Sequence, residues 1–204
     1  MTSRRKFLQT GVAVSTLPFA GPALGAARTS GHSSVPLYAV IYDKRFESSV
    51  AFARRSKALG LRTREIAGYM TAVWYNDLYH RWKQSPVAIA GLTNRGALFC
   101  FEQLGRDQGL RILYRAEHRP RADGTTEHTL TGPAPMLAEA WRIESPAADF
   151  GDGLADILSA CPDTAMAVSY ARLRSHGSPG LSGDEDALYS WVLAPAIKSG
   201  SRCS

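Results

Sequence analysis

The chain lacks the compact signatures that mark common catalysts: it has no G-x-S-x-G elbow, no P-loop, no dinucleotide G-x-G-x-x-G, no H-E-x-x-H and no C-x-x-C. Nucleotide-dependent and hydrolytic classes therefore lose their usual support, because each motif supplies the backbone or ligand geometry its chemistry needs. Cysteine is scarce. Cys100, Cys161 and Cys203 stand far apart, too widely spaced for a compact zinc motif, and an odd count leaves at least one thiol unpaired within a monomer. Cys100 falls in an apolar helical pattern and reads as a small core residue, whereas Cys203 is next to last in a Ser/Gly-rich tail. No repeat, heptad or low-complexity tract is present, and no basic stripe studded with aromatics, so nucleic acid is not an expected partner. No apolar run is long enough for a stable membrane span.

The N-terminus carries the most specific pattern. Ser3-Arg4-Arg5-Lys6-Phe7-Leu8-Gln9 is followed by an uncharged, mildly apolar stretch from Thr10 to Ala20, then Gly21-Pro22 and the small residues Ala23-Leu24-Gly25-Ala26-Ala27. A cationic head, a short apolar middle and a small-residue cleavage region are the parts of a signal peptide. Gly11, Pro18, Gly21 and Pro22 also argue against a core helix there. The run resembles the bacterial twin-arginine (Tat) signal, usually Ser-Arg-Arg-x-Phe-Leu-Lys; only Gln9 departs from it. That resemblance implies passage through the Tat translocase in a folded state, removal of residues 1–27 by cleavage near Ala26 or Ala27, and a periplasmic location. The route serves proteins that load a cofactor, travel with a partner or fold too fast to be threaded. This sequence shows no cofactor motif, and no cofactor is expected.

Those 27 residues hold three of the 24 basic residues and none of the 18 acidic ones, so the net charge of the rest is half the full-length +6. What remains is long enough for one domain with a real core. Residues 28–35 read as a flexible leader, 36–195 as a single α/β domain and 196–204 as a tail.

Within the domain, Leu37–Tyr42 and Pro86–Ala90 are short, nearly continuous apolar runs, expected of strands covered on both faces. Leu61–Ala67 and Leu110–Arg115 are weaker strands. Between them lie helical patterns over Ser48–Leu59, Thr71–Lys83 and Ala97–Gln108. Strands alternating with helices predict a three-layer fold with a mainly parallel sheet of order 2-1-3-4. Asp123-Gly124 predicts an antiparallel edge hairpin ending at Thr131. The C-terminal part reads as mainly helical: short helices near Pro135–Trp141 and Asp152–Ala160, a strand near Ala165–Leu173, and a last helix over Asp184–Leu193.

In such a sheet, ligands bind beyond the carboxyl ends of the strands where strand order reverses. Two turns should meet there, Tyr42–Arg45 and Gly91–Gly96. The second enters a helix, so unpaired N–H groups and the positive end of the dipole face outward. Thr93, Asn94 and Arg95 would bind a carboxylate, phosphate or enolate oxygen, although capping alone also explains Thr93 and Asn94. Asp43 ends a buried strand as a ligand-binding or proton-transferring carboxylate, or as a cap; Arg45 serves the ligand or pairs with Asp43. Glu117 and His118 follow the fourth strand as an acid–base pair of which alternation lets at most one face the site. A two-residue turn would set His118 and His128 on opposite faces, and a three-residue loop centred on Asp123 would set them opposite each other; no metal site is expected. The aromatic helix offers Tyr75, Tyr79 and His80 beside a core stripe of Trp74, Leu78 and Trp82, with Tyr75 as a ligand wall.

Two functions remain in view. The first is an exported protein that binds a small anionic molecule or accompanies an exported enzyme such as a redox enzyme. The second is a cofactor-independent lyase, isomerase or hydrolase. There Asp43 or His118 would move protons, while Arg95 and the Thr93–Asn94 amides hold negative charge.

Overall fold

The computed structural model describes residues 35–144, 149–162, 167–176 and 187–195. The signal region, Cys203 and residues 184–186 of the expected last helix lie outside them. Seven strands form one sheet: β1 (Leu37–Asp43), β2 (Thr63–Ile66), β3 (Ala88–Asn94), β4 (Leu110–Pro120), β5 (Thr125–Pro133), β6 (Val168–His176) and β7 (Leu188–Pro195). Their spatial order is β2-β1-β3-β7-β4-β5-β6. Only β1–β2 and β1–β3 pair in parallel; β3–β7, β7–β4, β4–β5 and β5–β6 are antiparallel.

This corrects two expectations. The sheet is mixed rather than mainly parallel, and β3 and β4 are not neighbours, because the last strand is inserted between them. The segment read as a final helix is that strand. From Leu188 to Ala194 every residue of β7 is buried, since β7 has sheet on both sides and side chains packed on both faces. A continuous apolar run of this kind carries no period that separates strand from helix. The C-terminal part is therefore mainly strands.

Helices cover both faces. Helices α1 (Glu47–Ala58), α5 (Ala134–Ala138) and α6 (Phe150–Ser159) lie on one face, with a 3-10 turn at Ala140–Ile143. Their core joins Phe52, Met136, Ile143, Phe150 and Leu154 to Val40, Leu92, Tyr114, Leu130 and Val192 of the sheet. The second face carries α2 (Thr71–Val73), α3 (Tyr79–Gln84) and α4 (Arg95–Asp107). Its core joins Leu78, Trp82, Leu98 and Phe101 to Ile41, Ile89, Trp191 and Leu193. A π-helical turn, Trp74–Leu78, links α2 to α3. Leu78 and Trp82 are buried as expected, and Trp74 packs edge-on against Trp82 with ring centroids 5.7 Å apart. Cys100, expected inside, is exposed on α4, while Cys161 is buried.

The β4–β5 hairpin turns through Ala122, Asp123 and Gly124, with Arg121 N–H donating to the Thr125 carbonyl at 2.8 Å. Gly124 takes φ +77, the left-handed residue that a three-residue hairpin loop requires. Register is thereby set so that His118 stands directly opposite His128. Of the two turns considered from sequence, the three-residue loop forms.

Candidate functional site

The ends of β1, β3 and β4 and the start of β7 share one rim. In register, Thr93 lies beside Tyr189, and Tyr189 beside Glu117. Alternation then divides the rim residues between the two faces of the sheet.

On the face that carries α4, β3 runs straight into the helix without the loop expected over Gly91–Gly96. Asn94 is the last strand residue and the cap: its Oδ1 accepts from Ala97 N–H at 2.8 Å, and its Nδ2 donates to the Gly68 carbonyl at 3.4 Å. Thr93 is fully buried and accepts the Trp191 indole N–H at 3.1 Å. Both side chains thus serve the fold. Arg95, first residue of α4, is exposed.

On the same face as Arg95 lies Glu117, a rim candidate from sequence, with partners that sequence reading missed. Tyr189 Oη donates to Glu117 Oε1 at 3.0 Å, and Arg119 donates to the same oxygen at 2.6 Å. The Arg115 guanidinium lies 5.7 Å from the centre of the Tyr189 ring. Burial would raise the Glu117 pKa, but the bonds from Arg119 and Tyr189 outweigh it and hold the carboxyl below its usual range. Tyr189 is pushed upward, first by burial and then by Glu117, while the positive charges of Arg95 and Arg119 oppose the rise. Arg119 and Arg115 therefore meet Tyr189 and Glu117, Arg95 bears on Tyr189 through its charge, and Arg115 also pairs with Glu102 of α4 at 3.5 Å. Tyr189 was invisible as a site residue because it sits in the strand misread as a helix.

Asp43 and Arg45 form a closed pair nearby. Arg45 grips the buried carboxylate with Nε on Oδ1 at 2.9 Å and Nη2 on Oδ2 at 2.7 Å. Its guanidinium lies against Gly68, where an added Cβ would come within 2.7 Å of Cζ. Gly68 thus touches both turns, meeting Arg45 of one and Asn94 of the other. Tyr75 is exposed, and its ring neighbour is Tyr79 of the same helical segment, at 6.5 Å.

His118 points the opposite way from Glu117, into the core beneath α6. Its Nδ1 lies 2.7 Å from Nδ1 of His128, and its Nε2 lies 2.7 Å from Ser190 Oγ. His128 Nε2 lies 2.8 Å from Ser175 Oγ. A hydrogen-bonded chain of Ser190, His118, His128 and Ser175 thus crosses β7, β4, β5 and β6. Phe150 caps both imidazoles at ring-centroid distances of 5.1 and 5.0 Å. Burial drives the pKa of His118 well below its ordinary value, with His128 adding to the effect, and drives His128 down to about 3. Both rings are therefore neutral at pH 7. With one nitrogen donating and one accepting on each ring, the chain is satisfied by tautomers running in either direction, since each serine hydroxyl can donate or accept. Tyr114, its pKa raised by burial, adjoins Ser190 without reaching hydrogen-bond geometry. Among the described residues no group of three metal-binding side chains is present.

Asp43 and His118 accordingly sit on different faces, the first bound to an arginine and the second enclosed in core, while Glu117 and Arg95 share a face. Compared with protein families, curated proteins and solved structures, the chain matches none. The fold defines an α/β protein with a seven-stranded mixed sheet, and the functional reading rests on the site itself.

Proposed function

We propose that the chain is a Tat-exported periplasmic protein that binds a small anionic molecule at the rim beside α4. The observation that carries this reading is the gathering of Arg95, Arg115 and Arg119 around the Tyr189–Glu117 hydrogen bond. Arg115 also meets Glu102 of α4 at 3.5 Å, so two carboxylates face three guanidiniums and a net positive charge remains. The first turn of α4 adds outward N–H groups and the positive end of its dipole, apart from the Ala97 amide that Asn94 takes. A carboxylate or phosphate ester is the ligand class that this arrangement favours, since a guanidinium fork matches two oxygens at once.

Binding is preferred to catalysis because both groups considered for proton transfer are engaged. The Asp43 carboxylate uses both oxygens on Arg45, and His118 uses both ring nitrogens in the buried chain. In this reading the protein serves as a binding or accessory subunit, travelling alone or beside an exported enzyme.

Calorimetric titration with dicarboxylates, sugar phosphates and inorganic phosphate tests the proposal. At least one should bind, and Arg95→Ala should weaken it roughly tenfold, the loss of one charge-assisted hydrogen bond. The variant's melting temperature should not move, as Arg95 is exposed. If no anion binds at millimolar concentration, or Arg95→Ala binds as well as the parent, the rim is only a capped helix start.

A further inference from the structure

Beyond the rim and α4, which packs against part of β4, the same face of the sheet continues over β5 and β6 with no helix of the described residues upon it. The principal helical contacts of β5 and β6 are with α5 and the 3-10 turn, which belong to the opposite layer. This open face is dominated by arginine, with Val168 and Tyr170 exposed beside it. Arg119 stands opposite Glu127 and Glu127 opposite Arg174; Thr129 stands opposite Arg172, and Thr131 opposite Tyr170. Arg115, Arg119, Arg121, Arg172 and Arg174 keep 43%, 46%, 40%, 61% and 63% of their side-chain surface exposed.

Glu127 organises the centre. It is only 5% exposed and holds both Arg121 and Arg172. Arg174 borders the same concavity of about 340 Å³, lined by Arg121, Glu127, Arg172, Leu173 and Arg174, and lies 4.0 Å from Asp123 at its margin. Arg121, Arg172 and Arg174 each pair with a protein carboxylate and still keep 40%, 61% and 63% of their side-chain surface exposed. A buried carboxylate that fixes several arginines gives a preorganised cationic surface, which loses little side-chain freedom on binding.

From this we infer that the open face of β4–β6 is a docking surface for an acidic protein segment, with the concavity at Glu127 receiving a partner carboxylate. Three features select a protein over a polymeric anion or a lipid surface. The cations on this face are all arginine, and they are interleaved with Tyr170 (64% exposed), Thr129 and Thr131; arginine and tyrosine are the residues enriched in protein interfaces. By strand alternation the face also carries Val168 of β6, 72% exposed, an apolar contact that a protein partner can cover and a polyanion cannot. Glu117 and Glu127 sit among the arginines, where they repel a uniformly anionic chain but set the register of a partner with carboxylates at chosen points. This surface needs neither Arg95 nor the small-molecule reading, and goes beyond it by naming the chemistry of a macromolecular partner.

The test uses the full chain and three probes: a labelled peptide of alternating glutamate and alanine, a heparin oligosaccharide, and phosphatidylglycerol vesicles. The peptide should bind, more weakly as salt rises. Arg172→Glu with Arg174→Glu should reduce its affinity roughly tenfold or more, whereas Arg54→Glu with Arg55→Glu on α1 should change it less than about twofold. Should the double variant misfold, Arg174→Gln leaves Glu127 both of its partners, Arg121 and Arg172, and should still weaken binding about threefold. Binding of heparin or vesicles in preference to the peptide would overturn the inference. So would peptide affinity that is indifferent to Arg172 and Arg174. Titration of small anions against the Arg172/Arg174 variant reads the rim separately, so either proposal can fail without the other.

Discussion

The two core histidines are the clearest case of a residue-scale effect with a measurable consequence. His118 and His128 are neutral where they stand, because a charge there would lose its water and face a second imidazole. In the unfolded chain each has an ordinary pKa near 6.5. Between that value and the depressed folded values the unfolded chain binds more protons, so stability rises with pH. Sign and window follow: the contribution is complete above about pH 6.5 and declines as pH falls toward about 3, the value for His128. The limiting slope is about 1.4 kcal/mol per pH unit for each histidine. Thermal melts at pH 7.5 and pH 5 should therefore show a marked loss of melting temperature in acid. His128→Gln should be less stable at neutral pH but should lose less on acidification. Equal pH sensitivity in both proteins would mean that the pair is not neutral in the fold.

The same scale explains why the pair was only half legible. A chain of letters shows His118 and His128 ten positions apart, and whether they meet depends on one turn residue. Gly124 at positive φ decides for the three-residue loop, and the histidines meet. That their outer nitrogens would find Ser190 and Ser175, residues far along the chain, had no local signal.

Among the helices, the contact of α1 with α6 shows how close approach limits sequence. Asp149 caps α6 by accepting from Gly151 N–H at 2.7 Å, and its second oxygen accepts from the Ser48 hydroxyl at 3.0 Å. The backbones meet immediately beyond: a Cβ on Gly151 would lie 2.0 Å from the Ser48 carbonyl oxygen, and one on Gly153 would lie 2.4 Å from that of Arg142. Backbone cannot swing aside as a side chain can. Gly151→Ala should therefore cost about 1–3 kcal/mol or more, despite the better helix propensity of alanine. Gly124→Ala is a useful contrast, for its space is open and only its φ is strained. Chemical denaturation of both variants measures the difference, and a stable Gly151→Ala protein would refute the close packing of α1 on α6.

Helix α4 and β3 show a boundary error with a functional consequence. Reading Gly91 as a strand end opened a loop over 91–96, with Thr93 and Asn94 either meeting a ligand or capping the helix. In the fold Trp191 lies over Gly91, the strand continues to Asn94, and the hydrogen bonds of Thr93 and Asn94 are internal. Glycine is a turn residue or a place of close approach, and sequence alone does not say which. Arg95 keeps its place at the start of the helix under either reading.

For the molecule as a whole, the proposed export route and the fold make a joint expectation. A protein that crosses the membrane folded must complete its sheet first, and β7, its last strand, is central. Replacing Arg4 and Arg5 by lysine should leave the precursor folded but in the cytoplasm, with periplasmic protein reduced by roughly tenfold or more. Cell fractionation with a processing assay decides it; normal export of the lysine variant would refute the twin-arginine assignment.

What the sequence determined by itself was local. Apolar runs identify β1 and β3, period and a closing glycine identify α1 and α4, and Asp123-Gly124 locates the hairpin, because each depends on neighbours a few residues away. Tertiary structure alone decided that β7 enters between β3 and β4, since a strand covered on both faces carries no period and its partners are chosen by space. That single insertion brings Tyr189 to Glu117 and Ser190 to His118, and with them both the rim and the buried histidine chain.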